Sequence, residues 1–262
     1  MSERIYLAVD IGASSGRHVA GLFDGETLRL EEVHRFENAG VPVLGHFYWD
    51  VLSQWRHVLD GLGAAATKFE RVRSVGVDTW GVDFALVGAG DSLLGNPYHY
   101  RDRRTEGMFQ RAFKIVPREK IFAETGLQFM EISTLYQLLA MRESNSPLLE
   151  SAERLLMMPD LFHWFLTGEK SNERTNASTT QLYSPISGDW SHSLIEQLNL
   201  PPRIFGPLSE PGTRLGPLLP HVIGETGLHG AVVVLPGTHD TASAVAAIPT
   251  SAAPRQQPDW CY

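Results

Sequence analysis

The sequence predicts an α/β protein built on a mixed sheet, with its first three strands antiparallel and helices flanking the faces. Three observations carry this. Apolar runs over residues 4–11, 16–23 and 27–36 are separated by short polar turns, the mark of a meander. An amphipathic segment over 51–66 then changes the apolar period from that of a strand to that of a helix. Beyond it, apolar strands and helical segments alternate, as in a sheet covered by helices.

Each element has a local reason. Asp24-Gly25 breaks the second strand from the third. Asp50 caps the first helix, with Leu52, Trp55, Leu59 and Leu62 expected on one face. Val72 to Asp78 reads as a buried strand, and after Thr79-Trp80-Gly81 a further strand runs to about Val87. The middle, from about 103 to 200, is helix-rich. Its clearest helices are Thr134 to Arg142 and Asp160 to Leu166, the second stopped at Thr167-Gly168. Met157, Met158, Phe162, Trp164 and Phe165 read as core. Ala231 to Leu235 is the last strand, followed by a turn and a small-residue helix over 241–247. The Pro/Ala/Gln-rich string from 249 reads as a linker.

Bulk properties narrow the function. A chain of 262 residues, 43% hydrophobic and 20% charged, has enough apolar content for a sizeable core. A net charge of −8 argues against nucleic acid or an anionic membrane as partner. The one cysteine, Cys261, leaves no internal disulfide framework and no cysteine-based metal site. Neither a signal-peptide core nor a run of membrane-spanning length occurs, so the expected location is cytoplasmic.

Asp10-Ile11-Gly12-Ala13-Ser14-Ser15-Gly16-Arg17 is the most informative stretch. One carboxylate, two hydroxyls, two glycines and an arginine share a turn between two strands. Glycines let amide groups face an anion, hydroxyls and arginine add donors, and a strand-end carboxylate suits Mg²⁺. The turn reads either as a phosphate cradle or as an ordinary polar hairpin. It also matches G-x-S-x-G, the nucleophile elbow of serine hydrolases with Ser14 as nucleophile, but that elbow needs a helix where a strand is expected. A weak echo follows: Ala8-Val9-Asp10…Gly12 and Gly76-Val77-Asp78…Gly81 both end a strand in Asp, turn through Gly and resume in strand. Around the second, Asp78, Trp80 and Asp83 offer an aromatic face and two acceptors suited to a sugar, or a core Trp beside a turn aspartate. Tyr98 to Asp102 reads as a solvated loop with Asp102 near a helix start, and Asn176 to Gln181 as a polar surface cluster. Gly237-Thr238-His239-Asp240-Thr241 follows a buried strand. There Asp240 reads either as a helix cap or as a base at the strand end, where ligands of α/β sheets gather.

In this order the segments resemble those of the FGGY carbohydrate kinases, in the forms found in their L-rhamnulose branch. The carriers are Asp10 to Arg17, Asp78 to Phe84, Tyr100 to Asp102, Met158 to Asp160, Thr175 to Gln181 and Gly237 to Ala244. The resemblance implies a ribonuclease-H-like domain of the actin and hexokinase type. It implies transfer of phosphate from ATP, with Mg²⁺, to the C1 hydroxyl of L-rhamnulose; fuculose or xylulose as substrate, and a non-catalytic sugar-binding module, are the alternatives. By the family pattern Asp240 is the general base, and Gly81, His239, Asp240 and Thr241 meet the sugar. Ala13, Ser14, Ser15, Gly16 and Arg17 meet the nucleotide phosphates, and Asp10 the Mg²⁺ shell. Family members are about twice as long, so residues 1–248 are expected to be the N-terminal domain. Residues 249–262 would lead into a C-terminal nucleotide-binding domain missing here and needed in cis, which leaves little activity for this chain alone.

Overall fold

The computed structural model describes residues 3–249. The expected linker therefore lies, from residue 250 on, outside the described residues. The first three strands are where the alternating runs place them: β1 (Arg4–Ile11), β2 (Ser15–Phe23) and β3 (Leu28–Glu37). They pair antiparallel in sequence, β1 to β2 to β3. Helix α1 (Val51–Lys68) begins at Asp50, whose side chain accepts from the Ser53 amide at 3.1 Å. The buried stripe is Val51, Gln54, Val58, Leu59, Leu62 and Ala65, with Trp55 packed at its margin. Leu52, expected on that face, is 61% exposed. Val51, one position earlier, takes the buried place, because a 100° step per residue turns its neighbour out to solvent.

Strand β4 (Val72–Thr79) lies parallel to β1. The next strand, β5 (Phe84–Gly88), does not fold back on β4. It pairs with Ser92–Leu93 and with β6 (Ala152–Met157) in a second sheet. Both segments of the echo thus end a strand in Asp, turn through Gly and resume in strand, but only β2 folds back on the strand before it. All of β5 is buried, since Ala85 and Val87 pack in one core while Phe84 and Leu86 pack in another. A strand between two cores needs apolar side chains on both faces, hence its unbroken run.

Helix α2 (Thr134–Glu143) fills the second core, and α3 (Met158–Thr167) ends at Gly168 in the left-handed conformation, φ 80°. The chain returns through β7 (Arg214–Pro217) and β8 (Val232–Val234) to helix α4 (Asp240–Ala246). The main sheet thus has the order β7-β8-β4-β1-β2-β3, parallel in its centre and antiparallel at both flanks. No described helix is long and apolar enough to cross a membrane.

Candidate functional site

The sheet register brings the strand-end carboxylates together. In the parallel pair β1 and β4, Asp10 stands opposite Asp78. Just past the end of β8, His239 bridges to Thr79, and the Thr79 amide donates to the Thr238 carbonyl at 3.0 Å. Asp240 thereby joins the same edge. Burial pushes the Asp78 carboxyl up to about 8, and the charges of Asp10 and Asp240 push the same way, against Arg17. Crowded oxygen donors of this kind suit a hard divalent cation.

The turn after β1 is built to stay open. Asn38 holds it from behind, its amide donating to the Ser14 carbonyl at 3.0 Å and its side-chain amide to the Gly12 carbonyl at 2.8 Å. Ala13 and Ser14 remain exposed at the tip, and β2 starts at Ser15. Gly16 has no room for a side chain, because the Phe36 ring lies over it. Arg17, opposite Asp10 in the hairpin register, donates to it at 2.8 Å. A strand follows the turn where the hydrolase elbow requires a helix, so Ser14 is not a nucleophile of that kind.

Beside this edge lies a cavity of about 640 Å³, lined by Trp80, Gly81, Val82, Tyr100, Met130, Thr179, His239 and Asp240 among others. A β-carbon on Gly81 would approach the Thr179 side chain to 2.8 Å, so glycine lets that wall close. Val82 is left-handed, φ 70°, which is costly for a β-branched residue. Its amide donates to the Thr179 hydroxyl at 2.9 Å, and its carbonyl accepts from the Thr134 hydroxyl at 2.7 Å. Thr241 is not among the residues lining this cavity. Its amide donates instead to the Asp240 carboxylate at 2.6 Å. His239 is 3.4 Å from the same Asp240 oxygen. Burial lowers its pKa, against the pull of Asp240 and Glu173.

Three expectations need correction. Asp83 offers no acceptor to a ligand, being fully buried. It accepts from the indoles of Trp49 at 2.6 Å and Trp80 at 2.9 Å, the Tyr100 amide at 3.1 Å and Gln137 at 2.8 Å. Burial raises its pKa to about 6, and the Trp and Gln donors pull it down. Its task is to hold the Trp80 wall. Tyr98 to Asp102 is not a solvated loop, because His99 stacks on Trp49 at 3.9 Å and both His99 and Asp102 are buried. Asp102 does cap a short turn, and it also accepts from the Phe47 amide at 2.6 Å. The Asn176 to Gln181 cluster, expected on the surface, is mostly buried, with Asn176, Thr180 and Gln181 fully so.

Sequence reasoning missed Glu173. Fully buried, it accepts from the Thr238 amide at 3.0 Å and the Thr238 hydroxyl at 2.7 Å, while the His239 amide donates to Thr175 at 3.2 Å. It thus pins the turn that presents His239 and Asp240. Behind it Asp160, also fully buried, accepts from the Glu173 amide at 3.1 Å, and burial drives its pKa well up. Asp160 stood in a segment that resembles the family, which was the available signal. Glu173 lies between two such segments and had none.

Comparison with known proteins places the chain. The description "FGGY family of carbohydrate kinases, N-terminal domain" matches residues 5–247. The chain is 43% identical over 247 residues to a rhamnulokinase of Oceanobacillus iheyensis, which spans 94% of the chain and 52% of that protein. It is 41% identical over 244 residues to one of Bacteroides thetaiotaomicron, spanning 93% and 50%. The chain spans about half the length of the curated relatives it matches. Among solved structures, a gluconate kinase of Lactobacillus acidophilus superposes with TM-score 0.80 at 16% identity, over 90% of this chain and 48% of that one. A xylulose kinase of the same organism gives 0.80 at 15%, over 89% and 48%. At such identities the likeness shows the fold, which is the expected actin and hexokinase type, with the mixed sheet described above.

Proposed function

The chain belongs to the FGGY family of carbohydrate kinases, and from that premise we propose that it is the sugar- and phosphate-binding half of an enzyme that phosphorylates L-rhamnulose on its C1 hydroxyl. The observation that carries the reading is the placing of Asp240 at the rim of the Trp80 and Gly81 cavity, on the same sheet edge as Asp10 and Asp78. The identity to rhamnulokinases supports L-rhamnulose over other ketoses.

The residues divide the work. The sugar lies in the cavity against Trp80, with Gly81 leaving room beside Thr179 and His239 offering its ring nitrogen to a hydroxyl. Asp240 accepts the proton of the attacking C1 hydroxyl, the part a carboxylate plays in phosphoryl transfer. Thr241 holds Asp240 in orientation and need not touch the sugar. Ala13 to Arg17 would receive the ATP phosphates, and Asp10 and Asp78 would hold Mg²⁺. Bound Mg²⁺ supplies charge neutralisation to the phosphates. Arg17, which donates to Asp10 here, would be the donor nearest to turn to a phosphate oxygen. Residues 1–248 act as one domain, and transfer requires a second, nucleotide-binding domain that closes over the site and excludes water.

Thermal unfolding of the 262-residue chain with L-rhamnulose, L-fuculose, D-xylulose or glycerol tests the sugar site. A ligand at about a hundred times its Kd stabilises by about 2.7 kcal/mol, several degrees in a domain of this size. The expected result is a rise with L-rhamnulose alone, abolished in Gly81→Trp. A rise with another sugar only would replace the substrate, and a rise that survives Gly81→Trp would move the site.

A further inference from the structure

Away from the cavity, strand register and helix period bring three histidines together. In the β2 and β3 pair His18 stands opposite His34. On α1, His57 and Asp60 sit three residues apart, on one side of one turn. The rings pack in a group. His18 lies edge-on to His34 at 5.5 Å, His34 is 5.9 Å from His57, and Phe36 stacks on His57 at 4.6 Å with 8° between planes. Gly61 admits His18 against the helix, where any side chain would run into the ring.

The nitrogens of this group are poorly satisfied. Nε2 of His34 and Nδ1 of His57 are buried and have no hydrogen-bond partner among the described residues. His18, fully buried, bonds through Nε2 to the Val58 carbonyl at 3.2 Å and leaves Nδ1 equally unpartnered. Native proteins seldom leave buried polar atoms in this state, and several at one place call for an explanation. Asp60 is near at hand, its carboxylate 4.0 Å from Nδ1 of His57. One ligand atom from each of His34, His57 and Asp60 lies within 4.8 Å of the others.

We propose that His34, His57 and Asp60 form a binding site for a divalent transition cation, Zn²⁺ in the first place, with water as the fourth ligand. Neutral imidazole and carboxylate are donors that such a cation takes, whereas Mg²⁺ prefers oxygen alone. Tetrahedral Zn²⁺ with bonds of about 2.0–2.1 Å brings its ligands to roughly 3.3 Å apart, so the three must close by about 1.5 Å at most. Asp60 at 51% side-chain exposure and His57 at 35% have the freedom to do so and give the ion access from solvent. His18 stands behind His34, fully buried, and backs its ring. The ion would clip β3, the edge strand of the sheet, to α1. None of these residues belongs to the carboxylate edge or the sugar cavity, so the site stands whether or not the kinase reading does.

The test is calorimetric titration of the metal-free 262-residue chain with ZnCl₂, in excess Mg²⁺ to occupy the carboxylate edge, with thermal unfolding alongside. The expected result is one equivalent bound with Kd below about 10 μM. A raised midpoint should accompany it, and Co²⁺ in place of Zn²⁺ should give the strong visible absorption of a tetrahedral site. His34→Gln, His57→Gln and Asp60→Asn should each weaken binding at least tenfold, while His192→Gln, an exposed residue elsewhere, should leave it unchanged. The exposed Asp60→Asn serves where a histidine variant fails to fold. No heat and no stabilisation at about 100 μM Zn²⁺ would overturn the proposal. So would binding that His57→Gln and Asp60→Asn leave intact, since the ion would then sit elsewhere.

Discussion

Glu173 shows how a single side chain acts on a site it does not line. Its carboxylate takes both the amide and the hydroxyl of Thr238 and so tethers the turn before Asp240. Each buried donor left unsatisfied costs about 1–3 kcal/mol, and Glu173→Ala should therefore destabilise the chain by about 3 kcal/mol in urea unfolding. A cost under about 1 kcal/mol would mean that water replaces the carboxylate. The sequence offered no reason to single out Glu173, because its partner lies 65 residues away and an isolated Glu before Arg-Thr reads as a solvated charge. Asp240 was legible from its own neighbours, since a strand, a polar turn and a small-residue helix announce a strand-end carboxylate. Asp83 was legible as important and misread in role. Only the convergence of two indoles, one amide and one carboxamide on it reveals an anchor.

At the scale of elements, α3 seals the main sheet through His163, whose Nε2 accepts from the Val77 amide of β4 at 3.0 Å. The ring is fully buried, and burial lowers its pKa from 6.5 to about 3. A histidine depressed in the folded state contributes stability above its unfolded value, lost as pH falls from about 6.5 toward 3. His18 acts in the same direction. The raised carboxyls of Asp78, Asp83 and Asp160 act in the opposite one, gaining stability as pH falls, so the comparison must be made within one position. Gln at 163 can still accept from Val77 without titrating. Urea unfolding at pH 7 and pH 5 should show His163→Gln losing about 2 kcal/mol less than the parent over that step. Equal losses would mean that His163 charges without penalty. The elements themselves were legible wherever one face was buried and the other wet, as in β1, β2 and α1. Legibility failed at the partners of β5, where burial on both faces erased the alternation that would tell them.

For the whole molecule, the chain spans about half of its rhamnulokinase relatives, and the proposed reaction needs both halves of such a protein. In the intact enzyme Asp240→Asn should lower kcat for L-rhamnulose by about 10²–10⁴-fold and leave KM for the sugar within a few-fold, measured by ADP release. A loss confined to KM would make Asp240 a binding residue. The 262-residue chain assayed alone should release ADP no faster than that variant; robust turnover would remove the need for a second domain. By itself the sequence determined the meander, the cap of α1, the strand-end aspartates and the family resemblance, because these rest on local period, turn chemistry and contiguous motifs. Tertiary structure alone decided that Asp10 faces Asp78 and that Asp240 joins them. It alone turned Asp83 and Glu173 inward as anchors and gathered His34, His57 and Asp60. Those outcomes depend on register and on contacts between residues far apart in the chain, which no local pattern encodes.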